Sequence, residues 1–265
     1  MRSSGLAGNT MSAPDIDSRD DGGEALADFI GKWRVRWPEW PLAEVFVPVG
    51  QRAAALAWAT LQQELGDAAW GGSDARPGAA KLAWWQEELA GWSRGARRHP
   101  LGVALQRLPA PWAALAAALP ALAASRERPR DLDEAAAMLQ PFALAIARID
   151  AALSPAEASA DGDADRTEAR ATADAAVITA CLLQARGLHG DETQVPLAML
   201  ARAGEGNASA AWINEQTARW PGQRASTRLR RVHAALARER LRRGDAVRPL
   251  PAWSTLWQAW RAARN

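Results

Sequence analysis

The sequence predicts an all-α protein, and three observations support that fold class. Alanine, the residue with the highest helix propensity, supplies much of the 48% hydrophobic content. Apolar residues recur three and four positions apart through the long segments, which is the period of an amphipathic helix. No segment alternates as a half-buried strand does, and the one β-like run, 45–49, contains Pro48 and is predicted to be a connector. At 265 residues the chain is long enough for one domain with a sizeable core.

The predicted helices follow one another along the chain without an internal repeat. A first helix after Asp28 ends at Pro38 and Pro41, because proline lacks a backbone donor and does not fit a helix interior. A second, longer helix ends at the Gly71-Gly72 pair. The remaining predicted helices carry apolar residues at helical spacing, and they cover 78–95, two short alanine-rich segments up to 124, 132–153, the region around 177–182, 196–203, 209–220, 225–243 and 251–263.

Two stretches have the composition of irregular structure. Residues 1–24 are polar and are predicted to be a disordered tail, which leaves residues 25–265 as a single domain. Residues 154–168 are small and acidic, and are predicted to be a flexible loop in that domain. The loop has alternating aspartates, but it lacks the glycine and glutamate that a calcium-binding loop requires. These aspartates, interpreted as solvated, are Asp161, Asp163 and Asp165.

The aromatic side chains are almost all tryptophan, with 14 Trp, three Phe and no Tyr. A buried indole N–H needs a hydrogen-bond acceptor, so many tryptophans are predicted to be half-exposed or to line a cleft. Cys181 is the one cysteine, which excludes an intramolecular disulfide and fits a reducing compartment. The polar N-terminal segment has no apolar signal-peptide region. The sequence therefore predicts a cytoplasmic protein.

The histidines and the cysteine give no sequence signal for catalysis or for a metal site. His99 precedes Pro100 and is predicted to cap the helix that follows. His189 and His233 are too far from it along the chain to indicate a metal site by spacing. Cys181 lies on an apolar helix stripe and is predicted to be a buried, unreactive thiol.

The C-terminal region, 225–264, combines arginine with tryptophan. Lys32 and Lys81 are the two lysines among 32 basic residues, so nearly all the positive charge is arginine. One interpretation is a solvated basic face; the other is attraction to an anionic membrane surface or to a phosphate-bearing ligand. No nucleic-acid-binding motif accompanies the arginines, so no nucleic acid partner is expected. The residues concerned are Arg228, Arg230, Arg231, Arg238, Arg240, Arg242 and Arg243, followed by Trp253, Trp257 and Trp260.

Three ordered landmarks lie between residues 42 and 204. The first is Phe-Val-Pro-Val-Gly-Gln-Arg at 46–52, leading into a helix. The second is Lys-Leu-Ala-Trp-Trp-Gln-Glu-Glu-Leu at 81–89, closed by Arg-His-Pro at 98–100. The third is Val-Pro-Leu-Ala-Met-Leu-Ala-Arg-Ala-Gly at 195–204. Together they resemble the squalene/phytoene synthase family, which implies an isoprenoid (terpenoid) synthase-like helical bundle around a central cavity.

The resemblance does not extend to the residues that carry the family's chemistry. Those enzymes condense two prenyl diphosphates, and two aspartate motifs on facing helices hold the Mg²⁺ ions. The first motif falls on 62–68 here and keeps Glu64 and Asp67, the candidates for catalysis and for metal binding. The second falls on 182–187 and contains no acid. The resemblance therefore implies lost synthase activity and no metal site, with Mg²⁺ as cofactor if activity is retained.

Three hypotheses for function follow. The first is a catalytically degenerate synthase-like protein that binds an isoprenoid, another lipid or a protein partner in a tryptophan-lined cavity, with Arg52, Gln63 and Gln184 as substrate-binding candidates. The second is an active prenyl transferase, in which Glu64 and Asp67 form a reduced metal site and Arg52 binds diphosphate. The third is a peripheral module at the inner membrane surface that uses residues 225–264.

Overall fold

A computed structural model of the protein describes residues 17–154, 164–189, 194–203 and 207–264. Within these ranges all regular secondary structure is helical, which confirms the predicted all-α fold class. Three 3₁₀ turns, Glu44–Phe46, Val49–Gln51 and Gly187–His189, join some of the helices. The helices are α1 Asp17–Arg36, α2 Trp40–Ala43, α3 Arg52–Trp70, α4 Ala75–Trp92, α5 Leu101–Leu105, α6 Trp112–Ala124, α7 Leu132–Leu153, α8 Ala164–Arg186, α9 Leu197–Ala203, α10 Ala208–Ala218, α11 Arg228–Arg242 and α12 Ala252–Arg264.

Two helices begin earlier than the sequence indicates. Helix α1 begins at Asp17, inside the segment 1–24 predicted as a tail, and residues 1–16 lie outside the described chain. Helix α8 begins at Ala164, inside the predicted 154–168 loop. The helix dipole favours acidic residues in the first turn of a helix, so an acidic composition alone does not indicate a loop. Asp165 lies in the first turn of α8, whereas Asp161 and Asp163 are outside the described residues.

Side-chain caps set several helix boundaries. Asp131 at the start of α7 accepts a hydrogen bond from Glu134 N at 2.8 Å. Thr227 caps α11 in the same way through Arg230 N. Helix α10 begins one residue before the predicted range 209–220, with Asn207 at its N-terminal cap position. The predicted stop at residues 71 and 72 is present, and Gly72 has a φ of 68° that other residues rarely adopt.

Two clusters of buried apolar residues hold the helices together. The larger one joins α3 to α10. In it α7 packs along α8, α6 lies between α4 and α7, and α3 contacts α1, α4 and α5. The smaller one joins the end of α1, α2, the start of α3, α8, α11 and α12. The first and last helices of the chain therefore belong to the same packed unit.

Helix α7 has the length and mean hydropathy, 1.4 over 18 residues, of a membrane-crossing helix. It is also a central helix of the larger cluster, where Leu139, Phe142 and Ile146 are fully buried. Core helices of water-soluble proteins meet the same two criteria, and α7 packs against α6 and α8.

The tryptophans are more buried than the sequence predicts. Ten of the 14 are at most 9% exposed, and four of these buried indoles donate their N–H to an acceptor inside the protein. Trp58 donates to Asp150, Trp70 to Ser125 and Trp92 to Glu88, at 2.7 to 3.0 Å. Because polar partners are available inside the protein, the indole N–H does not force these side chains towards solvent.

Glu88 links the two halves of the second sequence landmark. Its buried carboxylate accepts hydrogen bonds from the backbone N–H groups of Arg98 and His99, from Trp92 Nε1 and from Arg98 Nε, at 2.7 to 3.1 Å. His99 in turn accepts the first N–H of α5, from Leu101, through Nδ1, as the predicted cap requires. One carboxylate therefore fixes the chain between α4 and α5.

Glu88→Gln should reduce stability in a pH-dependent way. Burial raises the pKa of Glu88, but its hydrogen bonds from Arg98, Trp92 and His99 outweigh burial, so the pKa lies below its usual value. The ionised form therefore stabilises the fold above the unfolded pKa, about 4.3, and that contribution disappears as the pH falls through the lower folded value. We expect a loss of about 2 kcal/mol at neutral pH. Urea unfolding of both proteins across the acidic range should show the difference shrinking below about pH 4.3; a constant difference would contradict this account.

Candidate functional site

A cleft lined by tryptophans lies where α1, α2, α3, α8 and α11 meet. The space it encloses is about 70 Å³, below the roughly 300–1,000 Å³ of typical small-molecule sites, so a larger ligand would lie partly in the open mouth. Trp33, Trp37, Trp40 and Trp70 form its aromatic walls, and Leu182 of α8 adds an aliphatic surface.

The proline pair after α1 builds one of these walls. Helix α1 ends before Pro38, and the short turn that follows brings Trp40 back against Trp33, with ring centroids 5.1 Å apart in an edge-to-face contact. Trp37 in the turn packs edge-on against His233 of α11 at 4.6 Å. The prolines that end α1 therefore also bring these tryptophans together in one aromatic surface.

A buried polar network closes the floor of the cleft. Arg230 of α11 donates to both oxygens of Asp150 on α7, from Nε at 2.7 Å and from Nη2 at 3.2 Å. The same Nη2 donates to Gln62 Oε1 at 2.9 Å, and Asp150 Oδ1 also accepts from Trp58 Nε1. The network ties α3, α7 and α11 together at the base of the cleft.

A second buried ion pair supports the wall from behind. The Arg240 guanidinium is 0% exposed; its Nε donates to Glu39 Oε1 at 2.8 Å, and its Nη2 donates to the other carboxylate oxygen. Glu39 also accepts the backbone N–H of Leu250 at 2.8 Å. The guanidinium lies over the Trp37 ring at 4.1 Å. Arg230 and Arg240 are therefore structural, and neither of the two interpretations of the arginine run, a solvated face or an anion-binding face, holds for these two.

The mouth of the cleft carries a carboxylate held above its usual pKa. Burial raises the pKa of Asp67, and the nearby Arg36, with Nη1 3.2 Å from Asp67 Oδ1, offsets this only in part. His189 Nε2 is 3.4 Å from the same oxygen. Burial together with Arg36 and Arg126 lowers the pKa of His189 to about 4, so the imidazole is neutral near pH 7.

Two acceptors in the cleft have no hydrogen-bond donor. Gln63 Oε1 and Asp67 Oδ1 are both buried, and both belong to residues that line the cleft. Arg36 and His189 approach Asp67 within ion-pair distance, but neither makes a well-aligned hydrogen bond to that oxygen. Leaving a buried acceptor unsatisfied costs about 1–3 kcal/mol. The arrangement favours a molecule that brings a donor group to this end of the cleft.

The folded chain brings Cys181, His189 and His233 to the same cleft, although they are far apart in sequence. Burial raises the pKa of the Cys181 thiol to about 12. Burial, with Arg230 and Arg240, lowers the pKa of His233 to about 3. Both side chains are therefore uncharged near pH 7, and the thiol lacks the lowered pKa of a catalytic cysteine.

The sequence-predicted site residues separate into two groups. Gln63 and Asp67 line the cleft, whereas Glu64 points away from it and pairs with Lys81 Nζ at 2.8 Å. Arg52 donates to the carbonyl oxygens of Val47 and Val45, which fixes the turn before α3. Gln184 is buried away from the cleft and donates to Ala246 O at 2.9 Å. Arg36, His189 and the tryptophans carried no motif that could have identified them.

Residues of α3 and α8 line the same cleft. Gln62, Gln63 and Asp67 of α3 lie across the cleft from Leu182 and Ala185 of α8. The α8 side of the cleft contributes no carboxylate. In the described part of the chain, no group of three or more His, Cys, Asp or Glu side chains is placed to hold a metal ion.

Comparison of the chain with family models, with curated proteins and with solved structures finds no match. The resemblance to squalene/phytoene synthases therefore rests on the three sequence landmarks.

Proposed function

We propose that the protein binds an isoprenoid-type molecule with a hydroxyl end in the tryptophan-lined cleft, and that it does not condense prenyl diphosphates. The observation that carries the proposal is the pairing of aromatic walls with two donorless acceptors, Gln63 Oε1 and Asp67 Oδ1, at one end. In the terms of the family resemblance, this is an isoprenoid synthase-like scaffold without the synthase reaction.

The walls favour an apolar, unsaturated chain. Trp33, Trp37, Trp40 and Trp70 present ring faces and edges, and indoles contribute large apolar contact areas with little entropy cost. Neutral His189 and His233 add no charge to this surface. A linear hydrocarbon chain would bury part of its surface against these walls, with its polar end at Gln63 and Asp67.

The polar end favours a hydroxyl group over a diphosphate. A hydroxyl can donate to Gln63 Oε1 or Asp67 Oδ1, the two acceptors without donors. A diphosphate offers acceptors only, so it would leave Gln63 Oε1 and Asp67 Oδ1 without donors and bring negative charge beside Asp67, whose own charge Arg36 offsets in part. In the family's reaction that repulsion is cancelled by Mg²⁺ held between two acidic motifs, but here Glu64 is paired with Lys81 outside the cleft and α8 presents Leu182.

Calorimetric titration with farnesol tests the proposal. We expect farnesol to bind and Asp67→Leu to weaken it by about tenfold or more, because a hydrogen bond to a charged acceptor contributes about 1.5–3 kcal/mol. Gln63→Leu should weaken it by about fivefold, in line with a neutral hydrogen bond of about 1 kcal/mol. Farnesene, the corresponding hydrocarbon without the hydroxyl, should bind the original protein and both variants with the same affinity.

Gln216→Leu is the matched control. Gln216 Oε1 is also buried without a donor, but it lines a different cleft between α8 and α10, so its loss should leave farnesol binding unchanged. Release of pyrophosphate from farnesyl diphosphate in the presence of Mg²⁺ would overturn the proposal in favour of the prenyl transferase hypothesis. Absence of farnesol binding would also overturn it.

A further inference from the structure

The outward face of α12 exposes three tryptophans. Trp253 is 69% exposed, Trp257 54% and Trp260 37%, in a protein that buries ten other indoles. Leu256, 41% exposed, lies between them on the same helix. Trp257 and Trp260 stack on each other with ring centroids 5.1 Å apart. A contiguous exposed aromatic stripe of this kind marks an interaction site.

The apolar surface continues beyond α12. Helix α2 and the 3₁₀ turn Glu44–Phe46 both pack against α12, and each exposes an aliphatic side chain, Leu42 and Val45. The buried side of α12 is formed by Thr255 and Ala259, which are 0% exposed. The stripe is therefore the face of the helix turned away from the core and not a loosely packed part of it.

A basic groove borders the stripe. The groove lies between α11, α12 and the turn before α11 and has a volume of about 620 Å³, and Arg261 of α12 belongs to its wall. The one acid in the groove, among the residues described there, is Glu239, which pairs with Arg243 at 3.0 Å and Arg242 at 3.7 Å. The other positive side chains of the groove are Arg224, Arg231 and Arg238.

Arginines also border the indole rings directly. The Arg264 guanidinium lies 4.6 Å from the centre of the Trp260 ring, and that of Arg243 lies 5.9 Å from Trp253. Tryptophan prefers the boundary between headgroups and acyl chains, while guanidinium groups bind phosphate oxygens. Trp and Arg on one amphipathic helix are the composition of helices that lie in a membrane interface.

We propose that the α12 face docks on an anionic lipid bilayer, with α12 in the plane of the interface, its tryptophans among the headgroups and the groove arginines on lipid phosphates. Charge complementarity selects this occupant: the groove contains five arginines against one paired acid. The proposal does not depend on the cleft ligand, because no residue of the stripe lines that cleft.

Co-sedimentation of the full chain with vesicles tests the proposal. The protein should bind equimolar phosphatidylglycerol and phosphatidylcholine vesicles and lose binding on pure phosphatidylcholine. A triple variant should lower partitioning of the protein onto the anionic vesicles on the order of 100-fold, since each arginine near an anionic surface contributes about fivefold. Its substitutions are Arg224→Gln, Arg238→Gln and Arg242→Gln. The combined change of Trp253, Trp257 and Trp260 to Ala should lower it by at least about tenfold.

Two control variants remove three arginines or exposed apolar surface from other parts of the protein. The first control removes three exposed arginines near α5 by Arg94→Gln, Arg97→Gln and Arg107→Gln. The second removes exposed aliphatic surface by Val103→Ala and Leu197→Ala. Both should bind vesicles as the original chain does. Circular dichroism and thermal unfolding establish that the tryptophan variant stays folded.

Three results would overturn the proposal. One is failure of the full chain to bind the anionic vesicles, and another is unchanged binding by the folded tryptophan variant. The third is a dimer in sedimentation equilibrium that the tryptophan variant converts to monomer while vesicles are not bound, which would assign the stripe to a contact between two copies of the chain. Farnesol titration of the same tryptophan variant should be unchanged, so failure of this proposal is separate from failure of the cleft proposal.

Discussion

Arg230→Met should destabilise the protein by about 3–5 kcal/mol, because it leaves the buried carboxylate of Asp150 without its cation. Asp150 would keep one donor, Trp58 Nε1, in place of the present set from Trp58 and Arg230. Gln62 Oε1 would also lose its donor at the floor of the cleft. Chemical denaturation followed by circular dichroism measures the loss.

Two further variants decide whether the missing charge is the cause. Arg238→Met, on an exposed position of the same helix, should change stability by no more than about 0.5 kcal/mol. The double variant Asp150→Leu with Arg230→Met should recover much of the loss, since replacing a whole buried pair with apolar side chains is far less costly than breaking it. A double variant as unstable as the sum of its parts would show that packing, and not an unpaired charge, explains the effect.

Glu39→Gln should have a comparable effect, about 3–5 kcal/mol, because it leaves the fully buried Arg240 guanidinium without its counter-charge. The weakened pair would also loosen the backbone at Leu250, which precedes α12 and donates to the same carboxylate. Thermal and chemical unfolding measure the change.

Glu44→Gln is the matched comparison for Glu39→Gln. Glu44 lies five residues further along the chain and also pairs with an arginine, Arg34 at 3.4 Å, but that pair is at the surface. Exposed ion pairs contribute at most about 1 kcal/mol, so this variant should remain close to the original stability. Equal losses in the two variants would contradict the assignment of the large effect to burial.

The positions of the helices could be predicted because helix signals are local. Such signals depend on only a few neighbouring residues. The helix ends predicted at Pro38 and at Gly71-Gly72, and the helix predicted over 132–153, lie within a few residues of the observed helix ends. The starts of α1 and α8 could not be placed, because aspartates are common both in loops and in the first turns of helices.

The burial of two arginines could not be predicted from the sequence, because they belong to an arginine-rich segment that is typical of a solvated helix face. Arg230 and Arg240 find their partners 80 and 201 residues away, and no local pattern encodes such pairing. One signal was available: Arg240 follows Leu236 by four positions, and Arg230 precedes Ala234 by four, which places both on the apolar stripe of α11. A charged residue on that stripe indicates a buried partner elsewhere in the chain.

The candidate site was predicted in part. Gln63 and Asp67 came from the family resemblance, while Glu64 is displaced from the cleft because adjacent helix positions point in different directions, and Lys81 is available on its side. The tryptophan wall could not be assembled from sequence, because it depends on how the turn after α1 folds back on α8 and α11.

The ion pair between Glu39 and Arg240 can form only late in synthesis of the chain. Translation proceeds at about 5–20 residues per second, so the 201 residues between them separate the two side chains by roughly 10–40 s on the ribosome. During that interval Trp33, Trp37 and Trp40 have emerged, but α11 has not, and their aromatic surface stays open to other nascent segments. The N-terminal helices can take their final positions once the C-terminal arginine helix leaves the exit tunnel, so early protection of this tryptophan segment by a chaperone would raise the yield of folded protein.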